Sequence, residues 1–188
     1  MKQRYGKKML TVMVIGAFLV LGLTSLGMAQ EMQVMKDAVK MMSDAWKMFD
    51  DGQRMVLQGL EMNNQVAAQA GVQDLMAPGN KTIGTGRDTV VNGAQTFAKG
   101  QKVIMDNPES LSVVKEGVDM LRTGFKNAMD GKEMMEKGMA MNDQVAQSKG
   151  IMDKFADGDK SMKDGMATMG NAIKLFMQGE RMYLGAKE

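Results

Sequence analysis

EGVDMLRTGFKNAMDGKEMMEKGMAMN, residues 116–142, decides how the rest of the chain is read. Gly117, Gly124, Gly131 and Gly138 stand seven residues apart, and Met120, Met134 and Met141 follow three residues after three of them. Glycine inside a helix costs about 1 kcal/mol relative to alanine. Four on one heptad stripe therefore need a packing reason. Small residues at one heptad position let two helix backbones approach toward the short end of the usual spacing of about 8–10 Å.

The same stripe recurs in three other tracts. One carries Ala38, Ala45, Gly52 and Gly59, and the next Gly79, Gly86, Gly93 and Gly100. The last carries Gly158, Gly165, Ala172 and Gly179. With this position labelled a, position d is mostly methionine in tracts one and three (Met41, Met48, Met55, Met62; Met120, Met134, Met141). In tracts two and four it is largely Thr or Ser, as at Thr82, Thr89, Thr96, Ser161 and Thr168. Position e is largely apolar, and c and g hold most of the charge. Apolar a, d and e beside polar c and g describe a core-facing helix stripe. The sevenfold period excludes strands and implies left-handed supercoiling.

These tracts belong to a tandem duplication. Residues 31–109 align with 110–188 without a gap, with 25 identical pairs in 79. The densest block is MNNQVA at Met62–Ala67 against MNDQVA at Met141–Ala146. Three breaks in the heptad phase then separate four helices, near 32–68, 75–105, 108–146 and 152–185. Gly71 and Gly150 stand in the first and third breaks as helix-end residues. In the second, Asn107 is expected to cap a helix beginning at Pro108. The fold class is all-α: an up-down four-helix bundle, or two tandem antiparallel hairpins that complete their core with a second chain. The d-position methionines are expected to lap over the partner helix.

The domain reading is a secretory leader over 1–29, one hairpin repeat over 30–109 and a second over 110–188, the two together forming one bundle. Lys2, Arg4, Lys7 and Lys8 precede an apolar run from Met9 to Leu26, and small residues Gly27 and Ala29 flank Met28 before Gln30. That is the pattern of a cleaved signal peptide, the alternative being a retained anchor. It places the mature chain in the periplasm or outside the cell. Without the leader's four cations, 20 Lys+Arg face 22 Asp+Glu, so no basic surface argues for nucleic acid.

Composition excludes much chemistry. The chain has no cysteine and no histidine, which removes disulfides, thiol catalysis, thiolate metal sites and the commonest general base. No catalytic residue and no bound cofactor is expected. Methionine is the anomaly, at 25 residues. Thioethers are soft ligands that select Cu(I), so Met134, Met135, Met139 and Met141 form a candidate copper(I) site. Methionine is also an adaptable core filler, well suited to the gaps beside glycines. Asn63, Gln65, Asn142 and Gln144, duplicated near a hairpin end, are expected to form a polar layer that fixes register.

The leading functional expectation is an exported, non-enzymatic, Met-rich bundle with a structural or protein-interaction role in the cell envelope. Its partner would be a further copy of itself or another envelope protein. The alternatives are a periplasmic Cu(I)-binding protein, and lipid or apolar-ligand binding by amphipathic helices. No mature stretch holds the roughly 20 apolar residues of a membrane span. Contact with a membrane surface stays open through outward-leaning residues such as Val39, Leu57, Leu60, Met129, Ile173, Met177 and Leu184.

Overall fold

The computed structural model describes residues 26–186, with side chains from residue 30 onward. Most of the expected leader lies outside the described residues. Four helices follow: α1 (Leu26–Ala70), α2 (Gln73–Asp106), α3 (Leu111–Ser148) and α4 (Ala156–Gly185), with a single 3₁₀ turn at Met152–Phe155 leading into α4. At 1.5 Å per residue the helices run from about 45 to about 68 Å. No strand occurs among the described residues. The chain is an all-α, up-down four-helix bundle.

The turns follow from local chemistry. α1 ends in a Schellman motif: Val72 N donates to Ala67 O at 3.0 Å and Gly71 N to Ala68 O at 3.2 Å. Gly71 supplies the required positive φ of 67°. The duplicate turn repeats it, with Ile151 N on Ala146 O, Gly150 N on Gln147 O and Gly150 at φ 64°. Asn107 behaves differently from the sequence expectation. It is the C-cap of α2, so α3 starts later, at Leu111, with Ser110 in the N-cap position. Pro108 lies in the intervening turn, and Ser110 N donates to Asn107 O at 3.3 Å.

The glycine stripes pair α1 with α4 and α2 with α3. Gly52 faces Gly165, Gly59 faces Gly158, Gly79 faces Gly138, Gly86 faces Gly131, Gly93 faces Gly124 and Gly100 faces Gly117. Gly179 faces Ala38. Both close pairs thus join one copy of the duplication to the other. The two arms of each copy meet less intimately, chiefly through rings. Trp46 stacks on Phe97 at 4.6 Å, and its duplicate pair Phe125 and Phe176 stacks at 3.9 Å. Trp46 and Phe49 approach Phe125 edge-on at 6.0 and 5.6 Å, so rings from all four helices form one layer. Such pairs contribute about 0.5–1.5 kcal/mol each beyond the area they bury.

The contacts show how little room the stripe leaves. A Cβ on Gly86 would stand 2.5 Å from Gly131 O, and one on Gly131 the same distance from Gly86 O. The obstacle is backbone, which no rotamer change relieves. Gly84, two residues away on the outer face, has nothing within 4 Å of the corresponding point. We therefore expect Gly86→Ala to destabilise by about 1–3 kcal/mol through overpacking. Gly84→Ala is expected to stabilise by up to about 1 kcal/mol through helix propensity. Urea unfolding of the two variants beside the parent chain checks both signs.

Candidate functional site

The heptad places three kinds of side chain around each helix contact. Position e covers most of the partner's glycines, while position d covers two, Met120 Cβ lying over Gly100 and Asn127 Cβ over Gly93. Met135 Cγ lies over Gly86, Met169 over Gly52, Met162 over Gly59, Val90 over Gly131 and Ile83 over Gly138. These residues are fully or almost fully buried, at 0–2% exposure. Position d falls on the flank of the contact, where Met55 and Met134 are half-buried and Met62 and Met141 are 40% and 39% exposed. Methionine laps over the partner helix from both positions, from d at Met120 over Gly100 and from e at Met42, Met135, Met162 and Met169.

On the flank, the methionine and threonine arms meet. Thr89 Oγ1 lies 3.8 Å from Met134 Sδ, Thr82 Oγ1 3.9 Å from Met141 Sδ, and Thr168 Oγ1 4.0 Å from Met55 Sδ. Thioether sulfur is a weak acceptor. This arrangement separates the four methionines of the copper(I) candidate. Met134 and Met141 lie on the outer flank, seven residues or about 10 Å apart along α3, each against its own threonine. Met135 and Met139 are buried, at 0% and 8% exposure, and both belong to the hydrophobic core. The four thus divide into two flank residues and two core residues.

The asparagines of the duplicated block sit inside the bundle, with Asn63 5% and Asn142 6% exposed. Asn63 Nδ2 donates to Asp159 Oδ1 at 2.7 Å, and Asn142 Nδ2 donates to Asn80 Oδ1 at 2.8 Å. Asn80 Nδ2 in turn donates to Asn64 Oδ1 at 2.7 Å. Each buried Oδ1 has no hydrogen-bond donor and fills the space that a side chain on the facing glycine would need, Gly158 for Asn63 and Gly79 for Asn142. Gln65 and Gln144 are exposed and stand outside the layer, because two residues further along a helix turns the side chain to the opposite face. Asp159 and Asn80, each one residue past a stripe glycine, complete it instead. That role was not recognised in the sequence, although equal spacing in both copies was the available signal.

The layer divides two apolar regions. On one side lies the main core with the aromatic layer. On the other, Ala67, Val72, Met76, Ala146 and Phe155 close the end of the bundle beneath the two Schellman turns. Asp143 borders the layer. Its carboxyl is held above the ordinary value of 3.8 first by desolvation and then by the Asp159 carboxylate, with Lys163 opposing. Elsewhere Arg122 ties α3 to α4, its Nε 2.8 Å from Glu180 Oε1 and its guanidinium 6.0 Å from the Tyr183 ring. An open groove of about 440 Å³ runs along the α2–α3 flank, lined by Thr96, Ser112, Lys115, Asp119, Met120 and Thr123 among others. Among the described residues no group of three or more Asp and Glu converges as a metal site, and no helix is long and apolar enough to cross a membrane.

Two outcomes follow for the layer. Asn63→Ala, which strips buried Asp159 of its donor, is expected to cost about 1–3 kcal/mol. Gln65→Ala is expected to stay within about 0.5 kcal/mol, and chemical unfolding distinguishes them. For Asp143, the folded state binds the proton more tightly than the unfolded chain. Its contribution is therefore greatest below pH 3.8 and is lost as pH rises through the elevated folded pKa. Asp143→Asn is expected to raise the neutral-pH melting temperature and to flatten that decline, as melting curves across the acid range would record.

Comparison of the chain with protein families, with curated proteins and with solved structures finds no match.

Proposed function

We propose that this is an exported, non-enzymatic helical-bundle protein with a structural or protein-interaction role in the cell envelope. The observation that supports this reading is the closure of two helix pairs to backbone contact. Six glycine–glycine pairs hold α1 against α4 and α2 against α3. The residues that set this sequence apart are thus used to make a bundle of closely packed helices about 45–68 Å long. Such a bundle presents side chains at fixed intervals. Leu75, Val91, Met105, Leu111, Met177 and Leu184, each 44–54% exposed, give it apolar points of contact along its length. The basic n-region, apolar run and small-residue exit of residues 1–29 support export, with the mature chain beginning at Gln30.

Native mass spectrometry of the protein purified from its own compartment tests the proposal. The expected spectrum shows residues 30–188 joined to further copies of the chain or to a protein partner, without copper or lipid. Stoichiometric copper that disappears when Met134, Met135, Met139 and Met141 become Leu would overturn it in favour of Cu(I) binding. A monomer carrying lipid would overturn it in favour of apolar-ligand binding.

A further inference from the structure

The bundle sorts its methionines into two environments, and the difference bears on oxidation. Met42, Met135, Met162 and Met169 occupy position e and are 0–1% exposed, each with Cγ against a glycine of the facing helix. An oxygen added to one of these sulfurs would have to be accommodated in the closed core. Met55, Met134 and Met141 occupy position d, on the flank, with a threonine hydroxyl 3.8–4.0 Å from each sulfur. The Met55–Thr168 and Met134–Thr89 contacts are counterparts in the 79-residue duplication, so the arrangement occurs twice.

The hydroxyls are suited to a stronger acceptor than sulfur. Thr89 Oγ1 donates to Thr85 O at 2.9 Å, Thr82 Oγ1 to Pro78 O at 3.0 Å, and Thr168 Oγ1 to Asp164 O at 2.9 Å. A hydroxyl carries one proton, and these carbonyls are better acceptors than a thioether. The sulfur lone pairs are therefore only weakly engaged and stay nucleophilic. Sulfoxide formation would change this, because its oxygen is a polar acceptor. The threonine hydroxyl can rotate toward it while the i−4 carbonyl keeps its backbone bond.

We propose that Met55, Met134 and Met141 are sites of reversible sulfoxide formation that the fold accepts, making the flank a thioether-based acceptor for oxygen-donating oxidants. With hypochlorous acid, sulfur attacks the oxygen, the S–O bond forms and the O–Cl bond breaks. Sulfur is oxidised by two electrons, chlorine leaves as chloride and the hydroxyl proton passes to water. With no cysteine in the chain, thioethers are its principal sulfur nucleophiles. A methionine sulfoxide reductase reverses the step.

The test treats the folded full-length chain with limiting hypochlorous acid and follows each methionine by peptide mass spectrometry. Met55, Met134 and Met141 are expected to oxidise at least about tenfold faster than Met42, Met135, Met162 and Met169, with helical circular dichroism retained and the sulfoxides removed by reductase. Equal rates in the two classes, or helicity lost in step with flank oxidation, would overturn the proposal. A Thr89→Val variant isolates the hydroxyl. Oxidation is expected to lower its melting temperature more than it lowers that of the parent chain. An equal drop in both would show that Thr89 does not receive the sulfoxide.

Discussion

Everything in this molecule depends on backbone meeting backbone at the glycine stripes. Each stripe glycine weakens its own helix by about 1 kcal/mol relative to alanine, and α2 carries four of them at position a. What offsets this is contact that no other residue permits. The glycine carbonyl of one helix stands where a Cβ on the facing glycine would go, and an e-position side chain lies across most of these contacts. From that one constraint follow the burial of e, the displacement of d to the flank and the room for rings between the two close pairs.

The asparagine layer shows the same constraint used for specificity. A stripe of identical glycines would permit sliding by one heptad, since every step presents the same surface. Asn63 and Asn142 break that degeneracy, because each needs both a glycine opposite its oxygen and a partner one residue further on. Only one register supplies Gly158 with Asp159, or Gly79 with Asn80. A heptad slip would leave the buried amides without acceptors, at about 1–3 kcal/mol for each unsatisfied group.

The heptad spacing and the duplication made the helices, their turns at Gly71 and Gly150, and the small-residue interface legible in the chain itself. The partner of each stripe was not, because four nearly identical stripes carry no label saying which faces which. The distinction between d and e was hidden for a related reason: both flank position a, and the helix crossing decides which one covers the partner's glycine. Asn63 and Asn142 could be placed inside by counting along the heptad. Gln65 and Gln144 were grouped with them by proximity in sequence, which a helix converts into opposite faces. Asp159 escaped notice because a charged residue beside a stripe reads as surface until its asparagine donor is known.

Pairing α1 with α4 also bears on the order in which the molecule can be assembled. α2 and α3 are joined by a short turn and can close their stripes as soon as both have emerged from the ribosome. α1 must wait until α4 has been made, its glycines and e-position side chains meanwhile without a partner. Closing the outer pair carries a larger loop entropy than closing the inner one. Completion of the bundle is thus tied to the last helix synthesised, and a chain stalled before α4 would hold an inner hairpin with an unmatched α1.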